Sequence, residues 1–205
     1  MNKPSSRQWL KEHNRDTYVQ QARHGGYRSR AAYKLIQLDK RERILRVGLR
    51  VLDLGAAPGG WSQVAAEAVG AGGRVVAVDR IGIAALPNVD CIQGDLDDVA
   101  TFRQLVALRG ATGFDLVLSD MAPNISGMKA IDQPRSLGLA EDALAACGEL
   151  LKPGGDFVVK LFQGAGFDEY LHAMRRSFAK VVRRKPPASR DRSSEIYVLA
   201  RGYSV

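Results

Sequence analysis

From Arg50 onward the chain alternates short β-rich runs with stretches of helical pattern, and this alternation limits the possible fold more than any other feature. The runs are VLDL at 51–54, RVVAVD at 74–79, VDCIQGD at 89–95, FDLVLSD at 114–120 and DFVVKLF at 156–162. Between them lie SQVAAEAVG, VATFRQLVALRG and the segment around PRSLGLAEDALAACGELL. Strands joined in this way run parallel, with helices on both faces of the sheet. The carboxyl-terminal end breaks the pattern. FAKVVRR at 178–184 and EIYVLARG at 195–202 are separated only by KPPASRDRSS, where no helix fits. An antiparallel hairpin is expected to close the sheet there.

The 205 residues suffice for one sizeable core. No stretch approaches the roughly 18 apolar residues of a membrane span, and the opening MNKPSSRQWLKEHNRD lacks the apolar core of a secretory signal, so a soluble, cytoplasmic protein is expected. Cys91 and Cys147 form no CxxC and sit in apolar surroundings, which points to buried thiols rather than a disulfide framework or structural zinc. Residues 1–28 read as a polar, basic arm with a short helix at most, and 29–205 as a single domain. Ser29 is placed to cap a helix carrying Ala32, Tyr33, Leu35, Ile36, Leu38 and Ile44 at roughly helical spacing.

Net charge is +8, but its distribution says more. Residues 1–50 hold 13 basic and 4 acidic side chains, residues 51–170 hold 8 and 16, and residues 171–205 hold 9 and 2. Two basic ends suit a polyanion if the fold brings them to one face, because Lys and Arg gain by releasing counterions from phosphates. Solvated surface charge is the ordinary alternative. In the acidic middle, Asp79, Asp95 and Asp120 close three successive runs at the edge where open α/β sheets bind ligands, and Asp53 lies on the first run. A single such aspartate is more often a turn or cap residue.

VLDLGAAPGGW, Val51 to Trp61, is a strand running into a glycine turn and a helix. Gly55, Gly59 and Gly60 permit tight backbone geometry and close ligand approach, and the helix start supplies free N–H groups. Asp79 follows about 20 residues later, where an acidic residue accepts ribose hydroxyls. A dinucleotide fingerprint requires glycine where this chain has Ala57, followed by Pro58, which disfavours NAD. No GK[ST] ends the loop, which disfavours ATP hydrolysis. An adenosine ligand without phosphates fits, with Asp79 on the ribose and Gly94 and Asp95 near the adenine; S-adenosylmethionine is such a compound.

YRSRAAYKL (27–35), VLDLGAAPGGWSQVA (51–65), QGDLDD (93–98), LSDMAPNISG (118–127), GGDFVVKLFQG (154–164), GFDEY (166–170) and RSSEIYVLA (192–200) together resemble the FtsJ-type ribosomal RNA large-subunit methyltransferases of the RlmE family. The resemblance runs from the arm to the last strand. It implies a Rossmann-like methyltransferase fold with a seven-stranded, mostly parallel sheet, and methylation of a uridine 2′-hydroxyl in 23S rRNA of the large ribosomal subunit. It also implies a catalytic tetrad of Lys34, Asp120, Lys160 and Glu195, and S-adenosylmethionine contacts from Gly55, Gly59, Trp61, Asp79, Asp95 and Asp120. No metal is needed to activate a methyl sulfonium, and His13, His24 and His172 show no ligand spacing.

The residue types suit that chemistry. A 2′-hydroxyl is a poor nucleophile, so the enzyme must align it with the methyl group and accept a proton. Lys160 is the candidate base, although free lysine is neutral only about once in two thousand at pH 7. Lys34 and desolvation behind Phe162 and Trp61 favour its amine form, while Asp120 and Glu195 favour the ammonium form and fix its position. Each residue also has an ordinary use. Lys34 on a basic helix can meet solvent or phosphate, Glu195 can pair with Arg192, and Trp61 can be core. Lys160 interrupts an apolar run and is costly there unless paired.

The arm (Arg7, Lys11, Arg15, Arg23, Arg28, Arg30) and a second cluster (Arg183, Arg184, Lys185, Arg190, Arg192) flank Lys34 and Glu195 in sequence, so both are expected at the rim of one site. Tyr18, Tyr27 and Tyr33 are candidates for stacking on bases, with Tyr33 better suited to the core. A monomer is expected. The competing functions are 2′-O-methylation of tRNA or an mRNA cap, a ribosome-assembly factor whose binding matters more than its chemistry, and an NAD-dependent oxidoreductase.

Overall fold

The computed structural model describes residues 15–124, 126–191 and 193–204. Helices α1 (Thr17–His24) and α2 (Ala31–Glu42) precede β1 (Arg50–Leu54), α3 (Gly60–Val69), β2 (Arg74–Asp79) and β3 (Val89–Gln93). Then follow α4 (Val99–Leu108), β4 (Phe114–Ser119), α5 (Lys129–Leu150), β5 (Leu151–Phe162), α6 (Phe167–Ser177), β6 (Phe178–Arg184) and β7 (Glu195–Tyr203). All seven expected strands form one sheet in the order β3-β2-β1-β4-β5-β7-β6. The five strands from β3 to β5 are parallel, and β7 pairs antiparallel with both β5 and β6. The β6/β7 hairpin with its helix-free connection is as the sequence predicts.

Strand periodicity sorts the core into two layers. Leu116, Leu118, Val158, Tyr197 and Leu199 face α2 and α3, where Leu35, Leu38, Trp61 and Val64 cover them. Val117, Phe157, Val159 and Val198 face the opposite layer, packed with Leu105, Leu150, Tyr170 and Met174 from α4, α5 and α6. By the same parity Lys160 lies on the face of Val158, toward α2, and it is the cross-strand partner of Tyr197. The strand order reverses between β1 and β4, which opens a crevice beyond their carboxyl ends.

Three local expectations are corrected. Ser29 does not cap α2 with its side chain. Arg30 already has helical backbone angles and is the N-cap without a side-chain bond. The Ser29 hydroxyl is instead packed against Gly60, where an added Cβ would stand 2.4 Å from its Oγ. Cys147 is buried as expected, and burial pushes its thiol well up, but Cys91 is only half-buried because β3 is an edge strand open on one side. Asp95 and Asp120 lie just past their strands, which end at Gln93 and Ser119. Arg7, Lys11, His13 and Arg192 lie outside the described residues.

Candidate active site

A cleft of about 680 Å³ opens at the carboxyl edge of β1, β2, β3 and β4, bordered among others by Gly55, Asp79, Asp95, Asp120, Met121 and Arg135. Gly55 turns the chain off β1 at φ +72°, and an added Cβ would stand 2.5 Å from Met121 Cγ and 3.0 Å from its Cα, so only glycine fits there. Asp79 is spoken for by the backbone: Ala57 N–H donates to its Oδ2 at 2.9 Å and Ile81 N–H to its Oδ1 at 2.9 Å. The same carboxylate therefore ties the glycine turn to the loop after β2. Asp95 pairs with Arg80 at 2.6 Å on the open side of the cleft.

Trp61 and Gly59, both expected at this ligand site, turn their side-chain positions away from the cleft. The Trp61 indole does not border the cleft. It is 2% exposed in the core beneath α2, donates to Ala31 O at 2.8 Å and packs against the Tyr197 ring. What Trp61 can offer a ligand is its main-chain N–H in the first turn of α3. Gly59, at φ +107°, turns its Cβ position toward Arg28 and Leu86 rather than into the cleft, which leaves its backbone as the available part.

Lys160 is 7% exposed and is held by Asp120, with Nζ 2.6 Å from the main-chain oxygen and 2.9 Å from Oδ1. The register explains the meeting: Ser119 pairs with Val159, so the next residue on each chain, Asp120 and Lys160, are neighbours at the crevice. Lys34, from α2, places its ammonium 2.8 and 3.0 Å from the two Glu195 oxygens. Tyr197 stands between the two ion pairs. Its hydroxyl donates to Asp120 Oδ1 at 2.9 Å, and its ring lies 5.6 Å from the Lys34 ammonium. Burial pushes the Asp120 carboxyl up, but the positive charges of Lys160 and Lys34 outweigh it and hold it below the usual carboxylate range. Burial, with the Asp120 and Glu195 charges, drives the Tyr197 phenol well above its ordinary value, so it remains a donor. Lys34, Asp120, Lys160 and Glu195 thus converge, and a buried lysine beside an aspartate at the mouth of a ligand cleft can orient a hydroxyl and take its proton.

A profile of the family described as FtsJ-like methyltransferase matches residues 27–203. The chain belongs to this family. Ribosomal RNA large subunit methyltransferase E of Alkalilimnicola ehrlichii is 53% identical to it over 203 residues, covering 99% of this chain and 97% of that one. The protein of the same name from Pseudomonas aeruginosa is 52% identical over 199 residues, covering 97% and 96%. A solved structure described as a ribosomal RNA methyltransferase of Plasmodium falciparum aligns with a TM-score of 0.77 at 28% identity, over 86% of this chain and 98% of that one.

In this FtsJ-like methyltransferase the two basic segments meet. Arg30 of the arm donates to Ala188 O, Gln37 accepts from Ala188 N at 2.7 Å, and Asp16 pairs with both Arg30 and Arg190. Glu195 pairs with Lys34 in the described structure. Tyr33 is half-buried between Tyr18 and Tyr27, with both ring separations 5.7 Å, so the three tyrosines form one cluster joining α1 to α2. Among the described residues no group of three or more His, Cys, Asp or Glu side chains is placed to hold a metal, and no helix is long and apolar enough to cross a membrane. Tyr197 is the residue that motif reading overlooked. Its signal was available, since Glu195 and Tyr197 are two apart on one strand and so share a face with their cross-strand partners.

Asp53, on the run that leads into the glycine turn, does not border the cleft. It is fully buried behind the glycine turn, with Oδ2 accepting from Ser62 Oγ at 2.6 Å and Oδ1 without a partner. Burial pushes its carboxyl up to about 7 against the Ser62 hydrogen bond, and the Asp120 and Asp79 charges add to the rise. A folded value above the unfolded one means that the stability associated with the bound proton is fully present below about pH 4 and is lost as pH rises through about 7, roughly 4 kcal/mol in total. Asp53→Asn removes this dependence. The melting temperature of the variant minus that of the parent is expected to increase from pH 4 to pH 8 in thermal unfolding; a constant difference would contradict the raised carboxyl.

Proposed function

We propose that this chain transfers the methyl group of S-adenosylmethionine to the 2′-hydroxyl of a uridine ribose in 23S rRNA. It acts as a monomer in the cytoplasm, on the large ribosomal subunit late in assembly. The observation that carries this reading is Lys160, a buried lysine gripped by Asp120, which itself borders the cleft, with the Lys34–Glu195 pair joined to them through Tyr197. The names of the 53% and 52% identical relatives support the substrate.

The cleft suits the donor. Its volume of about 680 Å³ lies in the range for small cofactors, and the acidic Asp79, Asp95 and Asp120 at its border favour a cationic ligand. Gly55, Asp79, Asp95 and Asp120 would hold the compound, with main-chain groups of Gly59 and Trp61 at the start of α3. When bound, S-adenosylmethionine supplies an already activated methyl group. The work left to the protein is alignment and removal of one proton. Asp120, at the border of the cleft, holds Lys160 Nζ beside it, and the amine form of Lys160 takes the proton from the 2′-hydroxyl. Lys34, anchored by Glu195, supplies a second positive charge beside the reacting oxygen. Exposed basic side chains of the adjoining segments, such as Arg15 and Arg183, bind the RNA backbone around the site.

Large subunits from cells lacking this activity are expected to take up tritiated methyl groups from S-adenosylmethionine at a single 23S uridine, mapped as 2′-O-methyluridine. Uptake by free tRNA or capped mRNA, with unmodified large subunits left unlabelled, would overturn the assigned substrate.

A further inference from the structure

We infer that Arg28 is a positioning residue for the cofactor cleft, clamping from outside the two loops that Asp79 joins from inside. The inference rests on the reading of that cleft as the S-adenosylmethionine site. The loop between β2 and β3, residues 80–88, contains no helix and is largely exposed, yet Ile81 at its start borders the cleft. On the inner side, Asp79 accepts from Ala57 N and Ile81 N. On the outer side, the Arg28 guanidinium donates to Pro58 O at 3.2 Å, Ala84 O at 2.6 Å and Ala85 O at 2.7 Å. Both groups therefore bridge the glycine turn and the following loop, one on each side.

The clamp has a firm base. Gln63 of α3 donates from Nε2 to Gly26 O at 2.9 Å and accepts from Arg28 N at 3.2 Å through Oε1, while the Tyr27 hydroxyl donates to Glu67 at 3.2 Å. Gly59 completes the fit: a Cβ there would stand 3.0 Å from both Arg28 Nη1 and Leu86 Cδ1, so the glycine lets the guanidinium close over the turn. The planar fork of arginine reaches several carbonyls at once, which a lysine ammonium on a flexible stem does not reproduce. A side chain from the basic arm thus braces the two loops beside the cofactor cleft, where its charge alone would suggest a contact with RNA phosphate.

The test measures S-adenosylmethionine binding by calorimetry without RNA, and steady-state kinetics on large subunits, for wild type, Arg28→Ala and Arg28→Lys. Arg28→Ala is expected to raise the Kd and the KM for S-adenosylmethionine about tenfold, with kcat at saturating cofactor and the KM for large subunits within about twofold of wild type. Arg28→Lys falls between the two and, with melting temperature measured alongside, shows whether the alanine variant has simply lost its fold. Unchanged cofactor affinity in Arg28→Ala, with a raised KM for large subunits and a shallower salt dependence, would make Arg28 an RNA contact and overturn the inference. Failure of the wild-type protein itself to bind S-adenosylmethionine would instead overturn the cofactor reading on which the inference depends.

Discussion

Lys160→Ala is expected to slow methyl transfer to large subunits by roughly 10³-fold in a single turnover, within the range that a positioned general base contributes. Cofactor affinity should stay within about threefold, because Lys160 acts on the acceptor hydroxyl and the cleft is bordered by other residues. The pH profile separates a base from a structural lysine. In the wild-type enzyme the log of the single-turnover rate should rise with pH at unit slope; in Lys160→Ala that limb should vanish. A unit slope persisting in the variant would assign the proton to another group. Lys160→Met guards against loss of fold by retaining the volume. Asp120 supplies an independent readout. With Lys160 present its carboxyl lies below the ordinary range, so its stabilising contribution is present above the ordinary aspartate value and lost as pH falls through the lower folded one. Removing Lys160 leaves burial less opposed, and the acid unfolding transition should move to higher pH.

The parts of this protein that were legible in its sequence are those fixed by short-range pattern. RVVAVD and FAKVVRR became β2 and β6 with unchanged boundaries, because alternation and flanking turn residues define a strand locally. Lys160 stood out because a charge within FVVKLF must find a partner, and it found Asp120. The side-chain placements that residue pattern left open have a common cause. Trp61, Asp53 and Ser29 sit beside the glycine turn, where the residue pattern announces a ligand but does not say which way each side chain points. Tertiary packing decides that: α2 covers Trp61, α3 meets Asp53 through the Ser62 hydroxyl, and Gly60 leaves room for the Ser29 hydroxyl. The role of Arg28 was hidden for a different reason. Its partners are main-chain carbonyls 30 to 57 residues away, and main-chain groups leave no trace in residue identity.

Breaking the Lys34–Glu195 pair should produce the largest loss of stability among site substitutions, and repairing its charge should leave activity unrecovered. The two side chains are 12% and 11% exposed, so Lys34→Met strands a carboxylate in the interior beside the phenol of Tyr197. Removing one member of a buried pair costs about 3–5 kcal/mol, which for a chain of this size lowers the melting temperature by roughly 10 °C. Glu195→Gln alone strands the Lys34 ammonium, softened by the Tyr197 ring face at 5.6 Å, and should cost less. Lys34→Met combined with Glu195→Gln leaves neither charge unpaired, and its melting temperature should return most of the way to wild type. If Lys34 only braced α2 against β7, methyl transfer would return with stability. If its charge acts beside the reacting oxygen, the double variant will be folded, will bind S-adenosylmethionine, and will still transfer methyl groups at least about 10²-fold more slowly than wild type. Full recovery of rate in the stable double variant would reduce the pair to scaffolding and leave the chemistry to Lys160 and Asp120.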